Sequence, residues 1–207
     1  MWLYLTTCKL APALRLYWDL RIEGPVHAVP PTGPLLVASN HVSFLDPWWI
    51  ALKFPRPVRY LINRAWYDRS RAWRAFFDAN GTLPVDADDP RATIAAVCRA
   101  LEAGQAVAVF PEGGISPDGQ LRKFRSGVAR MAAQSGAPVV PLALVGAYDS
   151  LPRTRRVPRP GRIRIRIGEP RTFPGSPRAT PAEAGELQRF TAELREEVAR
   201  LAVGPRS

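Results

Sequence analysis

At 207 residues, 46% of them hydrophobic, the chain is long enough for one well-buried α/β domain, short for two, and too apolar for a disordered protein. Its net charge of +11 comes almost wholly from arginine, since only Lys9, Lys53 and Lys123 are lysines, and such a surface attracts phospholipid headgroups, nucleic acid or an acidic carrier protein. The two cysteines, Cys8 and Cys98, exclude a disulfide framework and a cysteine-rich metal site, and favour a reducing setting.

Residues 1–22 read as an amphipathic segment. Met1 to Leu5 is apolar, but Lys9, Arg15 and Asp19 interrupt the run before it spans a bilayer. The marks of a signal peptide are missing. Trp2, Tyr4, Tyr17 and Trp18 stand among leucines and basic residues, a pattern that suits the lipid–water boundary. An ordinary helix packed on the protein's own core has the same pattern.

Leu35 to Ala38 predicts a short buried strand, ending at the polar break Ser39-Asn40-His41-Val42-Ser43-Phe44-Leu45-Asp46. Asp46-Pro47 predicts a helix start with aspartate as N-cap, and Pro55 and Pro57 stop that helix. A strand over 58–62 and a helix over 65–78 follow. Asn80-Gly81 then turns into the short run Thr82 to Val85. Asp89-Pro90 caps a helix whose Ile94, Val97 and Leu101 recur at helical spacing up to Gly104.

Ala106 to Val109 predicts a buried strand entering a second polar break, Phe110-Pro111-Glu112-Gly113-Gly114. A helix over 124–135 ends at Gly136, and Val139 to Val145 predicts another buried strand. In 162–167 arginine alternates with isoleucine, as in a half-buried strand near a sheet edge. Thr180-Pro181-Ala182-Glu183 is a capping box opening a helix with the apolar stripe Leu187, Phe190, Leu194, Val198 and Leu201. Strands alternating with helices predict a single α/β domain over 23–207, a mostly parallel mixed sheet flanked by helices.

The chemistry lies in the two breaks. A neutral imidazole accepts a proton near pH 7, and a carboxylate on its other nitrogen fixes the tautomer and stabilises the imidazolium. His41 and Asp46 fit those roles only if the loop folds back at the helix start, because five positions on a straight helix are about 140° apart. The competing account makes Asp46 a plain cap and His41 a loop histidine. His27 has no acidic neighbour and reads as structural. No Gly-x-Ser-x-Gly elbow supports an acyl-serine, and Gly113-Gly114 lacks the lysine of a phosphate loop.

Asn-His-x-Ser-x-x-Asp at 40–46 and Phe-Pro-Glu-Gly at 110–113 resemble the first and third signature blocks of the glycerolipid acyltransferase family, typified by 1-acylglycerol-3-phosphate acyltransferases. Gly81 to Asp86 resembles the second block, Val139 to Leu142 the fourth, and Lys123-Phe124-Arg125-Ser126-Gly127 the segment after the third. The likeness runs over roughly 20–170.

The resemblance implies direct transfer from an acyl thioester, acyl-coenzyme A or acyl carrier protein, to a lysophospholipid hydroxyl. His41 is then the general base and Asp46 orients it. Asn40, Ser43, Glu112, Gly113, Gly114, Lys123 and Arg125 are the implied substrate-binding residues, with backbone N–H groups near Gly113 as oxyanion donors. Glu112 either holds the acceptor site or braces the loop. No metal and no cofactor beyond the acyl co-substrate are implied. The implied partners are a lipid acceptor, the acyl carrier and an anionic membrane surface, with the protein peripheral on the cytoplasmic face.

Two positions depart from the family pattern. Ala87 and Ile115 stand where arginines suited to a phosphate are usual. That opens a second reading, the same chemistry on a lipid or polyol acceptor without a phosphate. A third, from a different class, is a basic nucleic-acid-binding module built on the Arg153–Arg166 cluster.

Overall fold

A computed structural model of the chain describes residues 17–86, 88–174 and 181–204, with side chains described throughout except at 181–183. Residues 1–16 of the amphipathic segment, Ala87 and Thr180 lie outside the described residues.

Seven strands form one sheet in the order β1-β7-β6-β2-β5-β3-β4. They are β1 (Trp18–Glu23), β2 (Leu35–Ser39), β3 (Arg59–Asn63), β4 (Leu83–Val85), β5 (Ala106–Val109), β6 (Val139–Val145) and β7 (Gly161–Ile167). Strands β6, β2, β5, β3 and β4 run parallel. Strand β7 joins β6 antiparallel and pairs with β1 in parallel. The result is a mostly parallel mixed sheet, as the alternation of elements predicts.

Helices cover both faces: α1 (Asp46–Lys53), α2 (Arg64–Tyr67), α3 (Arg71–Ala79), α4 (Pro90–Glu102), α5 (Gly127–Ser135), α6 (Ala147–Ser150) and α7 (Pro181–Val203). Period-two alternation on the strands divides the core in two. Leu35, Val37, Ala108 and the β7 isoleucines face α1. Leu36, Ala38, Val107 and Val109 face α4, α5 and the Leu187-Phe190-Leu194-Val198 stripe of α7. Strands β2 and β5 are buried on both faces, which is why they read as continuous apolar runs.

Three expectations change. Residues 18–22, read as the end of the amphipathic segment, belong instead to the edge strand β1, Trp18–Glu23. Trp18 is buried rather than lipid-facing: its Nε1 donates to Ser150 Oγ at 2.9 Å and to the Arg159 carbonyl at 2.8 Å. The expected 65–78 helix is two helices, because Ser70 caps α3 by accepting the Trp73 N–H through its hydroxyl.

The arginine face of β7 is also taken up internally. Arg164 pairs with Asp19 at 2.7 Å and Arg166 with Glu23 at 3.0 Å, so β1 closes the sheet with opposite charge. Two members of the Arg153–Arg166 cluster are therefore spent on the fold, which weakens the nucleic-acid reading.

Candidate active site

The parallel strands β2 and β5 end side by side, and each hands over to one of the two polar breaks. Two parallel neighbours necessarily deliver their C-terminal loops to the same end of the sheet, so breaks seventy residues apart in sequence meet.

Asp46 is fully buried in the first turn of α1. The N-cap position belongs to Leu45, so Asp46 is not the cap that the sequence suggests; its carboxylate turns back under the loop. Oδ2 accepts the Val42 N–H at 2.6 Å and the Ser43 N–H at 2.8 Å, and lies 2.8 Å from His41 Nδ1. Burial pushes this carboxyl up, while the His41 ring and the two N–H donors pull it down. An oxygen held by two backbone donors fixes Nδ1 of His41 as the protonated nitrogen, leaving Nε2 as the basic one. The ring is also clamped from its flat side, stacked on Phe110 with centroids 4.1 Å apart and planes 18° from parallel.

Glu112 ties the second break to the first. Its Oε1 accepts the His41 N–H at 3.0 Å and its Oε2 the Arg122 N–H at 3.4 Å. It is buried, which raises its carboxyl, and of its two readings the brace is the one with observed contacts. The Ser116 N–H completes the seam by donating to the His41 carbonyl at 2.7 Å.

The cleft beside His41 has a volume of about 1390 Å³. That exceeds the usual volume of a small-molecule pocket, roughly 300–1,000 Å³. Apolar side chains from both sides of the sheet line it, among them Trp48, Tyr60, Phe77, Ile94, Val109 and Met131. Gly113, Gly114 and Arg125 stand in its wall with His41. Gly113 adopts a φ of 76°, which favours glycine, and a Cβ there would come within 2.5 Å of Arg125 Cζ. The missing side chain is what lets the guanidinium lie over the Pro111–Gly114 turn.

Several of the residues implied as substrate-binding are engaged within the fold or lie away from the cleft. Asn40 is buried, with both amide groups spent on the Leu144 backbone: Nδ2 donates at 3.0 Å and Oδ1 accepts at 2.7 Å. It bolts the end of β2 to β6. Ser43 is likewise buried, its Oγ accepting the Leu45 N–H at 3.1 Å. Lys123 is exposed and is not among the residues lining the cleft. Gly113 does not offer its N–H to an oxyanion, because that group donates to Phe110 O at 3.0 Å and closes the turn. Gly114 is the next N–H along the same wall.

Sequence reasoning missed Arg56. Its guanidinium donates to the carbonyls of Pro30 and Gly33 at 3.0 and 2.8 Å, fastening the approach to β2. Arg56 stands between two prolines, and nothing local reveals carbonyls more than twenty residues away. Arg91 and Arg130 were also missed, and both line the cleft with Arg125.

The Acyltransferase family model matches residues 20–145, which hold both polar breaks. A chloroplastic 1-acyl-sn-glycerol-3-phosphate acyltransferase of Arabidopsis thaliana is 29% identical over 168 residues, covering 78% of this chain and 47% of that protein. A 1-acyl-sn-glycerol-3-phosphate acyltransferase alpha of Mus musculus is 28% identical over 178 residues, covering 83% of this chain and 62% of its own. The chain thus spans about half to three fifths of the length of these relatives. The crystal structure of the 1-acyl-sn-glycerophosphate acyltransferase of Thermotoga maritima superposes with a TM-score of 0.76 at 24% identity, over 99% of this chain and 81% of that one, and shows the same fold. The chain belongs to the Acyltransferase family.

Proposed function

We propose that the protein moves a fatty acyl group from a thioester donor to the hydroxyl of a lysophospholipid. His41 Nε2 takes the hydroxyl proton as the oxygen attacks the thioester carbonyl. A C–O bond forms, the C–S bond breaks, and the proton on the imidazolium returns to the departing thiolate. Asp46 holds the Nδ1–H throughout and stabilises the transient cation. The observation that carries this reading is Asp46 Oδ2 held between His41 Nδ1 and two backbone N–H groups, with the imidazole lining a large apolar cleft.

The N–H of Gly114, which has no hydrogen-bond acceptor among the described residues, takes the oxyanion role that Gly113 cannot fill. The acceptor is a 1-acylglycerol-3-phosphate, the substrate named for the relatives above. Ile115 and Ala87 offer its phosphate no charge. Arg125, Arg91 and Arg130 supply guanidinium groups in the cleft wall instead. The donor is acyl-coenzyme A or an acyl carrier protein, the latter matched by the +11 chain charge. Among the described residues no helix is long and apolar enough to cross a membrane.

Incubation with either labelled donor and a panel of lysolipids, followed by mass analysis of the products, tests this. Phosphatidic acid is the expected product. Acylation only of acceptors lacking a phosphate overturns the acceptor assignment and favours the second reading. Absence of any acyl ester overturns the activity.

A further inference from the structure

Between β5 and α5 the chain passes residues 110–126 with neither helix nor strand, and this stretch carries Glu112. Such a segment keeps its shape only through individual contacts. Leu121 and Phe124 pack on the core shared by α4, α5 and α7. A polar contact reaches the same place from seventy residues further on. Arg195 of α7 donates from Nε to the Arg122 carbonyl at 3.1 Å and from Nη2 to the Leu121 carbonyl at 3.3 Å. Both donors lie on one edge of the guanidinium, so a rigid fork takes two successive carbonyls. The helix does not need these bonds to stay in place, because Leu187, Phe190, Leu194 and Val198 are buried along it. Among the described residues Arg195 pairs with no carboxylate. Its charge is spent on the loop.

The Leu121 carbonyl and the Arg122 N–H belong to one peptide group. Its N–H end donates to Glu112 Oε2 at 3.4 Å, and Glu112 Oε1 accepts the His41 N–H at 3.0 Å. The two ends of a trans peptide point in opposite directions, with the positive end of its dipole at N–H. A guanidinium on the carbonyl end and a carboxylate on the N–H end therefore both align with it, and each strengthens the bond of the other. Glu112 is 3% exposed, and among the described residues its carboxylate accepts only from those two backbone groups. A buried carboxylate with two donors feels the weakening of either one.

We propose that Arg195 is a positioning residue for the reaction: through the Leu121–Arg122 peptide group it steadies the Glu112 carboxylate, and through Glu112 it holds the His41 backbone where the two polar breaks meet. Arg195, Arg122 and Glu112 do not line the cleft, so the effect reaches the imidazole through the loop and not through substrate. The inference rests on the proposed function for its rates, but its structural readout needs no catalysis.

Arg195→Met removes the charge and both donors while keeping an apolar stem on the helix. It is expected to lower kcat for acyl transfer about tenfold, with KM for donor and acceptor unchanged. In a Glu112→Gln background the same substitution is expected to change kcat by less than about twofold, because the carboxylate it steadies is gone. Hydrogen exchange of the backbone amides, followed by NMR on the full chain, reads the same line of bonds without catalysis. Arg195→Met is expected to speed exchange at Arg122 and His41 about tenfold and to leave the amides of β2 and β6 as they are. This measurement decides alone if Glu112→Gln does not fold. Unchanged exchange at both amides overturns the proposal, whether or not acyl transfer is detected. Faster exchange throughout β2 and β6 makes Arg195 a general stabiliser and overturns it as well. So does an equal loss of kcat in the two backgrounds, or a loss that lies wholly in KM. Exchange that quickens at Arg122 and His41 alone, in a protein that transfers no acyl group, upholds the positioning and defeats the proposed function instead.

Discussion

His41→Ala is expected to lower acyl transfer by roughly 10²–10⁴-fold, the usual contribution of a positioned general base, while the protein folds as before. The side chain is partly exposed at the cleft, and its removal leaves Asp46 Oδ2 with two backbone donors and Glu112 with the His41 N–H. What goes is a stacking contact with Phe110 and one hydrogen bond, worth about 1–2 kcal/mol of stability. Steady-state thiol release with a lysolipid acceptor, measured beside a thermal melt, checks both halves. A variant that melts normally and keeps its rate removes His41 from the mechanism.

The second large effect separates the two duties of Asp46. Asp46→Asn places a neutral oxygen where Oδ2 now accepts from Val42, Ser43 and His41, so the loop keeps its shape and the imidazole its tautomer. It forfeits the charge that steadies an imidazolium. A hydrogen bond to a charged group is worth about 1.5–3 kcal/mol against about 1 kcal/mol for a neutral pair, so the loss of about 0.5–2 kcal/mol corresponds to roughly two- to thirtyfold in rate. Asp46→Ala in addition strands two buried N–H groups at about 1–3 kcal/mol each, and is expected to cost roughly 2–6 kcal/mol of stability. Denaturant melts and initial rates on the pair give the comparison. Equal destabilisation by both substitutions would mean that the backbone bonds do not hold the loop. A full rate in Asp46→Asn would mean that charge plays no part.

The sequence shows much of this site because its parts are local. Apolar runs at 35–38 and 106–109 announce buried strands, and the polar residues that follow them stand out as breaks. The His41–Asp46 spacing predicts a loop folded back at a helix start, and the structure has that loop, with the carboxylate facing inward rather than capping. What sequence reasoning misses depends on distant partners. Residues 18–22 read as the end of an amphipathic segment because Asp19 finds its arginine on β7, more than 140 residues later. Asn40 looks like a substrate ligand because its partner, the Leu144 backbone, is 104 residues away. Ser70 is a visible cap, yet the aromatic-arginine pattern on either side of it runs on at helical spacing and hides the break.

The direct character of the transfer is tested most closely by rapid quenching of the protein with a labelled acyl thioester, first without and then with a lysolipid. The account predicts no acyl label on the protein and no thiol release until the lipid is added, after which all of the label appears in the lipid product. An acyl-protein formed before the acceptor arrives would contradict it.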